Sequence, residues 1–180
     1  MNATDLSQKW YVMSATFNRS FKVQEHLEDI GVESFIPLRT KVCTIMGKKI
    51  RKEVPAISNL ILIRTTEDVQ KNIKHRISYL HYLVVKSGKE VRKMTVKDEE
   101  MNLFIRYCTQ TSQEVTYLSP DEIHLAKGTR VRIHGGPLDG LEGHFIKVKG
   151  VRKKCVVMKI DNIAAAALID VHPDLLEVIP

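Results

Sequence analysis

Residues Lys127 to Gly150 read KGTRVRIHGGPLDGLEGHFIKVKG, and this stretch decides the fold of the carboxy-terminal part of the chain. Val131 and Ile133 alternate with Arg130 and Arg132, and after the turn Phe145 alternates with His144 and Ile146, the period of half-buried strands. Between them stands Gly135-Gly136-Pro137-Leu138-Asp139-Gly140. The proline presets one turn angle, while Gly136, Gly140 and Gly143 can supply positive φ or a close backbone approach. The pattern predicts the hairpin of a small β-barrel. It is no phosphate cradle: there is no G-x-G-x-x-G, and Lys127-Gly128-Thr129 is not the G-K-[ST] end of a P-loop.

Working outward, 180 residues suit one or two domains, and a 43% hydrophobic content can bury real cores. The net charge of +7 is unevenly placed. Residues 1–112 hold 19 Lys/Arg against 12 Asp/Glu, whereas residues 113–180 hold nine of each. A basic front and a neutral back suggest that the first meets a polyanion and the second meets protein; a merely solvated surface accounts for the same charge. The amino terminus, MNATDLSQKW, has no basic flank leading into an apolar run, and Ile163–Ile169 falls far short of the roughly 20 residues of a membrane span. A soluble, cytoplasmic protein is therefore expected. Cys43, Cys108 and Cys155 are odd in number and lack C-x-x-C spacing, so reduced structural thiols are expected rather than disulfides or zinc.

In chain order, Lys9–Ala15 (KWYVMSA) is a buried-strand run. Val23, Leu27 and Ile30 then recur at helical spacing, with Asn18 or Ser20 as cap and Gly31 as the left-handed terminator. Residues 32–37 and 41–45 read as strand, Met46–Lys49 as a basic hairpin tip, and 50–54 as the returning strand. Ile57–Thr65 (ISNLILIRT) is a central strand, apolar on both faces. A helix from about Glu67 places Val69, Ile73 and Ile77 one turn apart, capped by Thr65 or Thr66. Tyr79–Lys86 reads as another strand, and Thr95–Cys108 as a helix with Met101, Phe104, Ile105 and Cys108 on one stripe. The order β-α-β-β-β-α-β-α implies an α+β fold, an antiparallel sheet with helices. Thr109–Glu114 breaks the periodicity and marks a linker; beyond the hairpin, 155–160 and 165–171 pair as strands, and Leu175, Leu176 and Val178 follow as a terminal turn or strand.

The 127–150 stretch resembles the KOW motif of transcription and ribosome-associated proteins. Together with the Trp10-Tyr11-Val12 strand, the basic α+β domain and the polar linker, it makes almost the whole chain resemble the NusG family of transcription elongation factors. FIPL at 35–38, NLILI at 59–63, KGTRVRIHGG at 127–136 and HPDLLEVI at 172–179 are similar to specialised antiterminators of that family, RfaH and especially the UpxY group associated with capsular polysaccharide operons. General members carry a Phe-Pro-Gly-Tyr-like segment before the central strand, where this chain has Ile57-Ser58-Asn59-Leu60. The resemblance implies an NGN-type antiparallel sheet with helices over residues 1–110, a linker over 111–121, and a small SH3-like KOW β-barrel over 122–180.

It also implies partners. In the family an apolar depression on the first domain receives the clamp helices of the largest catalytic subunit of RNA polymerase. The matching positions are Trp10, Tyr11, Leu60 and Leu62; apart from the resemblance, Trp10 and Leu62 read as plain core. Relatives that need a signal touch the non-template DNA strand, here through Arg19 and Lys22 on the first helix and Lys71, Lys74, His75 and Arg76 on the second. Cations track phosphates and guanidinium groups stack on unpaired bases, although a charged helix face is also commonly just solvated. The barrel's Leu138, Asp139 and Leu141 match positions that contact a ribosomal small-subunit protein or termination factor Rho; the leucines equally suit a closed barrel end. Some relatives hold this domain as a helical hairpin, but the β-branched and glycine-rich pattern favours the barrel.

No H-E-x-x-H, G-x-S-x-G or zinc spacing accompanies the seven histidines, so no enzyme, cofactor or metal is expected, His134 and His144 facing each other across the hairpin being too few ligands. The expectation is a monomeric, operon-specific antitermination or elongation factor. Two alternatives remain at this level: an RNA-binding or ribosome-associated KOW protein, which would carry basic charge on the barrel, and a nucleic-acid-processing enzyme, which would need a carboxylate cluster.

Overall fold

The structure is a computed structural model and describes residues 7–109, 115–118, 128–147, 154–160, 164–169 and 173–180. It divides into two compact units, Met1–Asp98 and Glu99–Pro180.

The first unit runs β1 (Lys9–Ala15), α1 (Ser20–Asp29), β2 (Glu33–Phe35), β3 (Leu38–Ile45), β4 (Lys48–Pro55), β5 (Leu60–Thr65), α2 (Glu67–Arg76), β6 (Leu80–Tyr82), β7 (Val84–Ser87), β8 (Glu90–Lys93) and β9 (Thr95–Val96). Its antiparallel sheet has the order β2-β5-β1-β6, with β9 also paired to β1. The central strands are apolar at both parities and are buried almost end to end. Register then decides which side chain goes where, because directly opposed residues share a face. Tyr11 opposes Ile63 and Met13 opposes Ile61, and these four join Val23 and Leu27 of α1 and Ile73 of α2 in one core cluster. Each large apolar side chain so buried contributes roughly 1.5–3 kcal/mol.

Helix ends are set differently from expectation. The residue before α1 is Arg19 with no side-chain cap, and the Ser20 hydroxyl is buried without a hydrogen-bond partner. Gly31 does terminate α1 at φ 68°, its N–H donating to the Glu28 carbonyl while that of Val32 reaches Leu27. Thr66 precedes α2, again without a side-chain bond, and the acidic first turn faces the positive helix end instead. The buried stripe of α2 is Gln70, Ile73 and Ile77, while Val69 is 39% exposed; i, i+3, i+7 won over the expected i, i+4, i+8.

The segment expected as one strand from Tyr79 splits at Leu83. Its N–H donates to Val12 and its carbonyl accepts from Met94, whose own carbonyl accepts from Val12, and the chain then leaves as the hairpin β7–β8 with Gly88 at φ 59°. The other hairpin, β3–β4, turns through Met46 at φ 50° and Gly47 at φ 77°, the two positive angles of a type I′ turn.

The second unit contains α3 (Asp98–Thr109), which starts at the boundary, then β10 (Val115–Leu118), β11 (Thr129–Ile133), β12 (Glu142–Lys147), β13 (Lys154–Ile160), β14 (Ala164–Ile169) and β15 (Leu176–Val178). The strands form one antiparallel sheet in the order β10-β14-β13-β12-β11-β15. Val131 and Ile133 are buried and Arg130 is exposed, as the alternation requires. Gly143 opposes Val131, and a Cβ there would lie 2.8 Å from Val156 Cγ1 and 2.9 Å from the Val157 carbonyl oxygen, so this glycine permits close approach of strands. Gly136 and Gly140 adopt φ 70° and 77° in the turn. At the far end of β12 Phe145 is half-buried and Ile146 buried.

Val115–Leu118, within the stretch expected to link the domains, pairs with β14; the rest of that stretch, and the expected Asp161-Asn162 turn, lie outside the described residues. In α3 the buried side chains are Met101, Phe104 and Tyr107. The Tyr107 hydroxyl donates to the Val156 carbonyl and the Arg106 guanidinium to that of Asp139, tying α3 to β13 and to the β11–β12 turn.

Within the first unit, Arg64 pairs with Asp98 at 2.8 Å and with Glu33 at 3.5 Å. The hydrogen bond from Arg64 holds the Asp98 carboxyl below the usual carboxylate range. A depressed folded-state value gives stability that is fully present above the unfolded value near pH 4 and is lost as pH falls through the folded one. Asp98→Asn is therefore expected to flatten the acid limb of a pH-dependent urea titration of the chain while changing neutral stability by under about 1 kcal/mol, the scale of exposed pairs.

Candidate functional site

The strand alternation that sends Tyr11, Met13, Ile61 and Ile63 to the helices sends Trp10, Val12, Leu60 and Leu62 to the opposite face of the sheet. Register adds Val96, opposite Trp10, and Phe35, opposite Leu62. Three of the four sequence-predicted apolar residues thus share this face, and the fourth, Tyr11, lies behind it in the helix-side core. None is open to solvent in this structure: Trp10 is 1% exposed, Leu60 3% and Leu62 fully buried. Among the described residues the buried indole Nε1 of Trp10 has no hydrogen-bond partner. An unsatisfied buried donor costs about 1–3 kcal/mol, so this face carries unused bonding capacity as well as apolar area. Leu60 is positioned by the turn before it. Asn59 sits at φ 64°, its backbone carbonyl accepts from Ala15 and its Oδ1 accepts from the Asn18 N–H at 2.9 Å.

The cationic residues fall into two groups. Arg19 stands at the start of α1, where its guanidinium carbon lies 4.7 Å from the centre of the Tyr79 ring and 5.5 Å from that of Phe17. Thr16 fixes the same junction, its N–H and its hydroxyl both donating to the Tyr79 carbonyl. Tyr79 follows the last turn of α2, which carries Lys74, His75 and Arg76, so both helices deliver cations to one end of the helical layer; Lys22 is exposed three residues into α1. Lys71 belongs elsewhere. Its ammonium pairs with Glu67 at 3.2 Å, and Glu67 also holds Lys93, which lies over the Tyr82 ring and bonds Gln70. Those two lysines, Lys71 first, hold the Glu67 carboxyl below its ordinary value.

The sequence predicts only a basic tip, Met46–Lys49, on the β3–β4 hairpin. Both strands are in fact exposed along most of their length and bear Arg39, Lys41, Lys48, Lys49, Arg51 and Lys52 against Glu53, with Lys41 directly opposite Lys52. Most of the front half's positive excess therefore belongs to this ribbon and not to the helices. The counting of charge by halves could not have separated them.

On the β11–β12 turn, Asp139 is exposed and its Oδ1 accepts from the Gly135 N–H, Leu138 is half-buried, and Leu141 is fully buried in the sheet's core. Beside it the cations of β11 are matched: Arg132 pairs with Glu142 at 2.7 Å, Arg130 reaches the same carboxylate, and His134 Nε2 lies 2.7 Å from Glu177. That pairing, with His144 opposite Arg130, replaces the expected His134–His144 contact, because the turn places His134 beyond the last paired residues. Among the described residues no group of three or more His, Cys, Asp or Glu is placed to hold a metal, and no helix is long and apolar enough to cross a membrane.

Comparisons with known proteins bear on the whole arrangement. The family model described as "Transcription termination factor nusG" matches residues 8–105, which covers the first unit from residue 8 onward and most of α3. No curated protein matches the sequence. Among solved structures the chain is similar to one described as "Domain interaction in Thermotoga maritima NusG", with a TM-score of 0.50 and 20% identity over 97% of this chain and 98% of that one. At that identity the likeness establishes the α+β fold.

Proposed function

Because the chain belongs to the NusG family of transcription factors, we propose that it binds the clamp helices of RNA polymerase and suppresses pausing or termination at particular operons, of the capsular polysaccharide type. The observation that carries this reading is the apolar face formed by Trp10, Val12, Leu60 and Leu62, with Tyr11 supporting it from behind. A few buried anchors suffice to hold a partner, and the unpaired Trp10 Nε1 offers that partner one directional bond. Since the anchors are covered in this structure, engagement requires the face to open. Once docked, the factor favours the closed clamp over the open one, and this difference in affinity shifts the pause equilibrium.

Arg19, Lys22, Lys74, His75 and Arg76 supply the contact with the non-template strand, with Lys71 contributing less because Glu67 already neutralises it. Residues 122–180 act as a protein adaptor through the turn of Leu138 and Asp139, toward a ribosomal small-subunit protein or Rho, while the expected third contact, Leu141, is fully buried and serves the sheet's core instead; the paired arginines of β11 suit that role better than nucleic-acid binding. The factor acts as a cytoplasmic monomer.

Transcription in vitro with purified polymerase, on a leader containing pause sites, tests the reading. Shorter pauses and greater read-through on adding the protein are expected; identical pause lifetimes contradict it. The variant with Lys71, Lys74 and Arg76 all replaced by alanine should lose signal-dependent recruitment on the order of tenfold while retaining signal-independent polymerase binding. Equal recruitment of variant and parent would reject the DNA role.

A further inference from the structure

The β3–β4 ribbon shares no residue with the apolar face or with the cations of α1 and α2. Among the described residues its strands pair only with each other, and none of its six cations forms an ion pair. Register divides that charge, since directly opposed residues share a face. One face carries Arg39, Lys41, Lys48 and Lys52 around Ile45 and Ile50 and has no carboxylate; Glu53 lies on the other, with Lys49 and Arg51. Lys41 stands directly opposite Lys52, a repulsion that costs the ribbon stability and that an anion laid beside it relieves. Apolar area is uncovered as well, Val42 being 58% and Ile45 50% exposed.

The backbone is divided too. The turn holds two residues, Met46 and Gly47, so Ile45 and Lys48 exchange the first pair of ladder bonds and alternation follows from there. Arg39, Lys41 and Cys43 therefore turn their N–H and C=O groups toward β4, whereas Thr40, Val42 and Thr44 turn theirs outward along an open edge. These three are β-branched and uncharged, as strand pairing favours; the outward groups of β4 belong instead to Lys49, Arg51 and Glu53.

We propose that the free edge of β3 accepts an extended acidic segment of a partner protein as a third strand, one in which carboxylates alternate with apolar side chains. Pleat and charge together dictate that pattern. On the added strand, every second side chain falls on the face of Arg39 and Lys41, and those between fall beside Thr40, Val42 and Thr44. Main-chain bonds give such a strand its affinity and the alternation gives it specificity. The same charge disfavours a second copy of the ribbon, because lysine-bearing edges repel one another. A nucleic acid would meet the cations, but it has no alternating main-chain donors and acceptors to match the edge.

The test uses the full chain and a labelled, end-capped octapeptide of alternating glutamate and valine, followed by anisotropy. Saturable, salt-sensitive binding is expected, and a block peptide of the same composition should bind about tenfold more weakly or worse. Val42→Pro removes an N–H that the hairpin does not use; it should weaken binding by about tenfold or more while the emission of the buried Trp10 stays that of the parent. Val42→Thr keeps the donor and should bind as the parent does. Arg39→Glu combined with Lys41→Glu should lose the glutamate peptide and gain the matching peptide of alternating lysine and valine, a readout that holds even if the proline variant fails to fold. No binding of the alternating peptide by the parent overturns the proposal. Undiminished binding by Val42→Pro, or equal affinity for the alternating and block peptides, leaves charge alone and overturns the added strand. A random-sequence DNA duplex that displaces the peptide, and binds Val42→Pro as tightly as the parent, would make the ribbon a nucleic-acid surface instead.

Discussion

Leu60→Asp is expected to abolish capture of the chain by a clamp-helix fragment, a loss of at least about a hundredfold for a carboxylate placed without a partner in an apolar contact. Leu60 opposes Ser14 at the start of β5 and shares the face of Leu62 and Trp10, so its side chain is central to the proposed seat. It is also only 3% exposed in this structure, and a charge there opposes the covered state as well. Binding to a single-stranded oligonucleotide separates the two effects, since the cationic flank lies on the helical layer behind β1 and β5. A variant that still binds the oligonucleotide but not the clamp helices has lost the seat and kept the fold. Undiminished capture of Leu60→Asp would remove this residue from the interface.

Gly143→Ala should produce the largest loss of stability among single changes in the second unit, about 1–3 kcal/mol, the range for overpacking. Two atoms crowd the new Cβ, and only one can yield. Val156 Cγ1 at 2.8 Å belongs to a side chain, but the Val157 carbonyl oxygen at 2.9 Å is strand backbone and moves only by parting β12 from β13. On a unit of this size each kcal/mol shifts Tm by about 4–8 °C, within reach of a thermal melt followed by β-sheet circular dichroism. Gly136→Ala meets no atom within 4 Å and strains only its φ of 70°, so it should cost less. Equal melting of Gly143→Ala and the parent would contradict the register assigned to β11, β12 and β13.

Much of the fold could be read from residue pattern because local and tertiary signals agree there. Lys9–Ala15 and the 60–65 run are continuous apolar stretches that only a central strand accommodates, and Gly31 and the Met46-Gly47 pair mark a helix end and a turn by backbone chemistry alone. Where tertiary contacts decide, the pattern was silent. Nothing in the Tyr79–Lys86 run announces that Leu83 will pair with both Val12 and Met94 and so break the strand. In α2 the expected Ile73 and Ile77 are buried, but Gln70 takes the place of Val69, because this polar side chain packs against Met13 Sδ and Lys93.

The site divides in the same way. Strand alternation could have assigned Tyr11 and Trp10 to opposite faces, since adjacent strand residues cannot share one. The pairing of Lys71 with Glu67, four residues apart on one helix, was also available to sequence. The stacking of Arg19 between Tyr79 and Phe17 was not, because it joins residues about 60 positions apart through the packing of α1 beside the end of α2. Likewise, Leu141 could be known as core and Leu138 as half-covered only once the turn was built.

Trp10 is the chain's single tryptophan, so its emission reports on one face of one sheet. Titrating the protein with a tryptophan-free clamp-helix fragment, while following that emission alongside an independent binding signal, tests whether the apolar face is the polymerase seat. A saturable change in emission tracking the binding curve is the predicted result; binding that saturates while the Trp10 spectrum stays constant would contradict it.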